Sequence, residues 1–445
     1  MIQNLPGFRD FYPEECALRH TLFETMRNCA QHFGFEEYDA PILEPLELFT
    51  EKSGDEIVDQ LFSFTDKGGR AVALRPEMTP SLVRMVGAKI HSLPKPIKWF
   101  SIAEQFRYER PQKGRLRSFY QFNADILSEI SIAADAEVIA LGIHILTTLG
   151  LTAEDFHVRL SDRKLWALFL ETQGIPTSLL QPTLAIIDKF DRERPEQFLS
   201  PLRSLSADIS WESVLENIEH FRSLKRIDAL WEFSSSQRPL AGSVSALEQR
   251  LQDMACLLSR LHHMGYGDVV TLDLRIVRGL AYYTGFVFEF FERQGDMRAI
   301  AGGGRYDNLF QKFGYPDTPA VGLAIGDVTL QMLLEKKALR PQISSCVDII
   351  LCFDSPATEC LAIKDASQLR QRGYAVTYSI SPIRPISKQL KLIKPQETTW
   401  IVLYDGEKVL IRRLEPREEH RLHAEEVLNF FPPIFKSPEW KTTKS

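Results

Sequence analysis

A helix that crosses a bilayer needs about 20 consecutive apolar residues, and the sequence holds no such run. Its nearest approach, VIALGIHILTTLGL at 138–151, carries His144 and polar residues at helical spacing and reads as a buried helix. The opening MIQNLPGFRDFYPEE lacks the charged-then-apolar layout of a secretory signal. The six cysteines show no CxxC spacing. That argues against a disulfide framework or a zinc site and points to a reducing, cytoplasmic setting. The ten histidines form no HExxH, and adjacent His262 and His263 diverge on a helix and read as surface residues. The glycines build neither GxGxxG nor the P-loop pattern, so the usual dinucleotide and mononucleotide signatures are missing. Protein-kinase signatures are missing too. A net charge of −6 excludes a globally basic nucleic-acid binder but leaves room for a local basic groove.

What is present is a chain of 445 residues with 44% apolar content, enough for two or three globular domains. Residues 11–33 carry apolar positions at spacing three and four, with Pro13 near the start and Gly34 after the end, and predict an amphipathic helix. FEEYDAPILEPLELF reads as an extended segment whose prolines suit an edge or interface. LFSFTD, AVALRP, IKWFSIAEQFRYER and RSFYQFNADIL predict strands of one antiparallel sheet, with a helix over 133–149 packed on it. From about 162 to 262 helical periodicity takes over and predicts an insertion. Strand character returns in TLDLRIVRGLAYYTGFVFEFFER, in RAIAGGGRYDNLF and in PAVGLAIGDVTLQMLLEKKAL, where a strand passes through glycine into a helix. After a linker at 336–345, strands alternate with helices over 356–372 and near 384–393. That predicts a small α/β domain over 346–445 with a frayed tail.

Chemistry concentrates in a few stretches. FRYERPQKGRLRSFYQF, residues 106–122, packs five cations and one acid into 17 residues. As two strands joined at QKGR, it would place Arg115, Arg117 and Phe119 on one face. Guanidinium groups fork onto phosphates and an aromatic ring stacks on a base, so the hairpin suits a nucleotide; a solvated, salt-bridged hairpin is the alternative. RIVRGLAYYTGFVFE, residues 275–289, sets Arg278 in an otherwise apolar run, where a buried cation needs a carboxylate partner such as Glu289 or a ligand. AGGGRYD, residues 301–307, permits close backbone approach, to a ligand or in a turn. RPEMT offers Arg75, Glu77 and Thr79 at alternating positions.

Taken together these stretches resemble the histidyl-tRNA synthetases, a family of class II aminoacyl-tRNA synthetases. GFRDFYPEE is similar to the family's N-terminal segment, the helix running into Pro41 to the dimer-forming motif 1, and FRYERPQKGRLRSFYQ to motif 2. RGLAYYTGFVFE and GGGRYDNL resemble the two boxes particular to the histidine enzymes. The likeness reaches about residue 333 and continues more loosely beyond. It implies an α+β fold: a class II synthetase-type antiparallel sheet flanked by helices over 1–335, a helical insertion, and a C-terminal α/β anticodon-binding-like domain. It also implies ATP-dependent activation of L-histidine, transfer to the 3′ end of tRNA(His), Mg²⁺ beside the ATP, and a homodimer without membrane contact. Within that frame Arg107 grips the α-phosphate, Arg115 the outer phosphates, Glu109 joins the ATP site and Phe119 stacks on adenine. Arg278 bridges the substrate carboxylate and α-phosphate, a task given to metal in related enzymes, and no protein metal ligand is implied. Glu77, Thr79 and Gln121 surround the α-ammonium, Asp125 and Tyr283 bond the imidazole nitrogens, and Tyr306 completes the wall.

Two departures stand out. Position 125 is commonly glutamate in the family, so the shorter Asp125 implies a shifted backbone or a bridging water. Motif 3 usually ends in Glu-Arg, the arginine clamping the γ-phosphate; here AIGDVTLQ places Val328 and Thr329 there. Arg115 and neighbouring cations are then expected to share that phosphate. The missing arginine leaves a second reading open, a non-catalytic regulatory subunit of ATP phosphoribosyltransferase in histidine biosynthesis. The complete motif 2, both histidine-type boxes and the C-terminal domain favour the enzyme. In that last domain Lys388, Lys391 and Lys394 form a candidate stripe for the tRNA backbone, or simply a solvated face.

Overall fold

The computed structural model describes residues 3–434 apart from 51–58, 189, 191–196, 237–242, 278–281, 296, 342–346, 379–384, 392, 394–397, 407 and 415. The chain divides into two compact units, Met1–Pro341 and Gln342–Ser445.

The first unit opens with the helix Pro13–His32, which has proline in its first turn beside Glu14 and Glu15, a charge placement that suits the helix dipole. Gly34, at φ 75°, lets the chain turn out of it. Leu22, Met26, Cys29 and Ala30 form its buried stripe. Eleven strands follow among the described residues: β1 (Glu36–Glu37), β2 (Leu43–Pro45), β3 (Ser63–Thr65), β4 (Ala71–Leu74), β5 (Ile97–Phe106), β6 (Ser118–Leu127), β7 (Phe156–Asp162), β8 (Val270–Leu272), β9 (Phe286–Glu292), β10 (Ala301–Arg305) and β11 (Ala320–Gly326).

Eight of these make the main sheet, in the order β1-β5-β6-β11-β10-β9-β7-β8. It is antiparallel except at its two edges, where β1 pairs with β5 and β8 with β7 in parallel. The expected antiparallel sheet is thus met across its six central strands, with a parallel strand added at each edge. Six helices between Arg163 and His263 separate β7 from β8 among the described residues, and a connection that long can return a strand parallel where a hairpin cannot. The LFSFTD and AVALRP strands do not join this sheet either; with β2 they form a separate three-stranded one, β2-β4-β3, and Pro45 sits on its edge.

One face of the main sheet is apolar. Phe122, Ala124 and Ile126 of β6, Leu323 and Ile325 of β11, and Phe288 and Phe290 of β9 belong to one buried cluster with the helix Ile132–Thr148. That helix is apolar around most of its girth because it is covered on most sides. A β-carbon at its Gly142 would come 2.6 Å from the Phe290 ring, so the helix lies unusually close to the sheet. The opposite face carries the polar residues described below.

The second unit holds β12 (Val347–Phe353), β13 (Val376–Tyr378), β14 (Thr398–Asp405), β15 (Lys408–Arg413) and β16 (Glu418–His423) in the order β13-β12-β14-β15-β16. The first three run parallel and the last two add antiparallel. The helix Pro356–Gln371, started by a Ser355–Thr358 capping box, packs Ala362, Ala366 and Leu369 against Ile349, Leu351 and Val402. No helix among the described residues is long and apolar enough to cross a membrane. The described cysteines are free thiols.

Candidate active site

Strand alternation sends Gln121, Asn123 and Asp125 to the face opposite Phe122, Ala124 and Ile126. The register then builds a trough across that polar face. Asp125 pairs with Gly322 of β11, Gly322 with Gly304 of β10, and Gly304 with Val287 of β9. One step along, Asn123, Ala324, Gly302 and Glu289 lie in a row. Small residues in the middle are what leave the trough open. A β-carbon at Gly322 would sit 2.0 Å from Asp125 Oδ1; one at Gly304 would sit 2.7 Å from the Phe286 carbonyl oxygen and 3.0 Å from the Tyr283 ring. The triple glycine therefore serves close approach within the sheet rather than a turn.

At one end of the trough lies a buried polar pocket. The Tyr306 hydroxyl donates to Asp125 Oδ1 at 2.6 Å, and the Tyr282 hydroxyl donates to Glu77 Oε2 at 3.3 Å. Tyr282 meets the rings of Tyr283 and Tyr306 edge-on at 5.2 and 5.6 Å. Asp125 and Glu77 are only 3% and 4% exposed. Burial pushes the Asp125 carboxyl up to about 7, against the opposing pull of the Tyr306 hydroxyl. Burial also raises Glu77, with the Arg107 charge and the Tyr282 bond working the other way. Glu77 Oε1, Asn123 Oδ1 and both amide atoms of Gln105 are buried without a hydrogen-bond partner among the described residues. Unsatisfied polar atoms in such number mark a place built for a polar ligand or water.

Beside this pocket opens a cleft of about 720 Å³ lined by Arg107, Glu109, Arg115, Phe119, Gln121 and Tyr283, with Gly302 and Gly303 on its floor. The expected hairpin exists: Gln112 and Arg115 exchange backbone hydrogen bonds of 3.1 and 2.9 Å, and Gly114 takes the left-handed φ of 77° that the tight turn demands. Arg107 donates from Nε to the Pro76 carbonyl at 3.0 Å and lies 5.3 Å over the Phe119 ring. Arg115 forms an ion pair with Glu109.

Several sequence expectations change. Arg117 does not share the face of Arg115 and Phe119. It precedes β6, its N–H is tied to the Gly7 carbonyl at 3.0 Å, and its guanidinium lies 4.4 Å over Tyr108. RPEMT is not an alternating strand: Arg75 is buried on the carbonyls of Ala40 and Glu104, at 2.6 and 2.9 Å, and only Glu77 and Thr79 lie in the region of the pocket. Glu77, Thr79, Asp125 and Tyr306 are buried and do not line the cleft, whereas Gln121 and Tyr283 do. Arg278 lies outside the described residues. Among the described residues of 275–289 the strand begins at Phe286, so Tyr283 reaches the site from outside it. Arg305 of the GGGRYD box is turned away, its guanidinium saturated by Asp135, Asp307 and the carbonyls of Glu129 and Ser131. Asp327, where the Gly-Asp departure occurs, is buried, accepting from Arg9 at 2.7 Å and from the Tyr120 N–H at 2.9 Å. It fastens the GFRDFY segment to β6.

Residues that the sequence reading did not single out also take part. Gln105 and Asn123 extend the polar face, and the period-two alternation in AEQF and QFNADI was the signal for both. Arg298 lines the cleft with no sequence signal beyond its charge.

Residues 7–329 match the family model described as histidyl-tRNA synthetase. A histidine–tRNA ligase of Opitutus terrae is 46% identical over 96% of this chain and 97% of its own length. One from Haloarcula marismortui is 39% identical over 86% of this chain and 85% of its own. Among solved structures, a histidyl-tRNA synthetase from Nostoc superposes with a TM-score of 0.77, covering 97% of this chain and 99% of that one at 23% identity, a likeness of fold. Sequence kinship of that extent settles the family: the chain is a member of the histidyl-tRNA synthetases, with the class II synthetase fold.

Proposed function

We propose that the buried pocket holds L-histidine and the arginine-lined cleft holds ATP, so that the sheet's polar face brings the two reactants together. As a member of its family the chain is a histidine–tRNA ligase with ATP as substrate. A histidine carboxylate oxygen attacks the α-phosphorus of ATP, the bond to the β-phosphate oxygen breaks, and pyrophosphate leaves. A hydroxyl at the 3′ end of tRNA(His) then attacks the activated carbonyl, loses its proton, and AMP departs.

The first step sets anion against anion. At an effective dielectric of 20, each like-charge pair at 4 Å costs about 4 kcal/mol. Fixed cations offset that repulsion without reorganising. Arg107, held by the Pro76 carbonyl over the Phe119 ring, would take the α-phosphate, and Phe119 would offer its ring to adenine. Arg115 swings between Glu109 and the outer phosphates. Arg278 is assigned by family likeness to the substrate carboxylate. In the inner pocket Glu77, Thr79 and Gln121 meet the α-ammonium, and Asp125 and Tyr283 take one imidazole nitrogen each, Tyr306 orienting Asp125. A pocket that bonds both nitrogens rejects isosteres lacking them by about 10⁴-fold, because its own groups would stay unpaired. Gly322, opposite Asp125, leaves the carboxylate the space that a β-carbon would occupy.

Mg²⁺ neutralises polyphosphate charge when bound. Among the described residues no three His, Cys, Asp or Glu side chains are grouped to cage a metal, so Mg²⁺ would arrive on the phosphates, with Glu109 and Glu289 the carboxylates that line the cleft. A homodimer through the N-terminal helix and small sheet is the expected assembly; Ile42, Leu43 and Phe64 there remain exposed.

The observation that carries this reading is the buried Asp125–Tyr306 pair, on the same sheet face as a cleft lined by the hairpin cations, with glycines between the strands that leave the trough open. Histidine-dependent exchange of labelled pyrophosphate into ATP tests it. Exchange is expected with histidine alone among the amino acids, and Arg278→Ala should abolish it without unfolding the chain. Exchange that ignores histidine would sink the pocket assignment.

A further inference from the structure

We propose that Arg298 binds the outer phosphates of ATP, supplying from the segment before β10 the positive charge that Thr329, on the helix Asp327–Lys336, does not carry. The inference rests on the reading of the cleft as the ATP site. Three arginines line that cleft among the described residues, Arg107 and Arg115 from the hairpin and Arg298 from the segment before β10. The hairpin tip marks where they converge. A β-carbon at Gly114 would stand 3.8 Å from Thr329 Oγ1 and 3.9 Å from Arg298 Cδ, so tip, threonine and arginine meet at one end of the cleft.

At that end the charges are unequal in kind. Thr329 is neutral and 8% exposed, so the helix Asp327–Lys336 presents no cation at that position. Arg115 is neutralised by Glu109. Arg298 is exposed and makes no hydrogen bond or ion pair with another described residue. Arg107 is committed nearer Phe119 and Pro76. A triphosphate laid with its base on Phe119 therefore runs its most charged end toward Arg298, where a planar fork of N–H donors matches phosphate oxygens. Arg115 and Arg298, carried by separate elements that meet at the hairpin tip, would both reach the tail.

The test uses the full chain, with pyrophosphate exchange and direct nucleotide binding measured side by side. Arg298→Ala is expected to raise the KM for ATP and for pyrophosphate by about 10- to 100-fold, the loss typical of a charge-assisted bond. The KM for histidine and the Kd for AMP, which lacks the outer phosphates, should stay within about twofold of the parent. Arg298→Lys, retaining charge but not the fork, should fall between. An ATP KM unchanged in Arg298→Ala, or an AMP affinity lost in parallel with that for ATP, would overturn the assignment while leaving the cleft an ATP site. A parent enzyme that exchanges no pyrophosphate would instead strike the ATP reading beneath it, and this inference with it.

Discussion

Arg305 and Arg115 belong to the same unit and both come from stretches that mark the family, yet they do opposite work. Arg305 is 5% exposed, and carboxylates and carbonyls occupy its whole guanidinium, Asp135 of the central helix foremost. Arg115 is more than one-third exposed at its side chain and leans on the Glu109 carboxylate at the mouth of a cleft. A buried, fully bonded arginine has no donor left to give a substrate and holds strand to helix. One whose side chain stays partly exposed beside a cleft can exchange a carboxylate for phosphate. Motif membership does not separate these roles; exposure at the cleft does.

The comparison breaks most visibly if Arg305 is truncated. Arg305→Ala strands the Asp135 carboxylate, itself buried and already raised by desolvation, without its partner. Removing one member of a buried pair costs about 3–5 kcal/mol. Urea unfolding should show that loss, with the KM for ATP of the remaining folded fraction little changed. Arg115→Ala should do the reverse, raising the ATP KM with a smaller loss of stability, because its pair with Glu109 is already more than one-third exposed on the arginine side. Equal stability losses in the two variants would erase the distinction.

What could be read in advance follows the same division. The hairpin cations were legible because a contiguous segment of 17 residues carries them. So were the long helices, from their periodicity, and the glycine-to-helix passage at 326–327. The pairing of Asp125 with Tyr306 spans 181 residues; family likeness put both in one site, but nothing in the sequence joined them to each other. The parallel sheet edges, the separate β2-β4-β3 sheet and the place of Arg298 all depend on which distant strands come together, which local pattern does not encode. Arg117 departs from its expected face because it stands before β6 begins, where alternation has no ladder to enforce it. Period-two reasoning holds only where the ladder does.

A second test sharpens the contrast between groups satisfied in the free protein and groups left waiting. Asp125 is raised from 3.8 to about 7 by burial, so between those values the folded chain holds a proton that the unfolded chain lacks. Its contribution to stability is therefore full below about pH 4 and lost as pH rises through about 7, a swing on the order of 4 kcal/mol. Asp125→Asn should flatten that part of the profile in unfolding measured from pH 5 to 8, and should weaken histidine binding. A slope that survives the substitution would mean that another group titrates there.

The smallest effect probes the hairpin itself, where two cations two residues apart take different sides. Arg117 lies over Tyr108 and donates from Nε to the Glu109 carbonyl at 3.0 Å, both contacts within the hairpin. A partly exposed cation–π contact contributes about 0.5–1 kcal/mol, so Arg117→Ala should lower Tm slightly and leave pyrophosphate exchange within about twofold. The Arg115→Ala variant, two positions away, is the control that makes a null result informative. If Arg117→Ala matched it in ATP KM, the hairpin would have to turn over on binding nucleotide, and a place outside the cleft in the free protein would no longer mark a structural arginine.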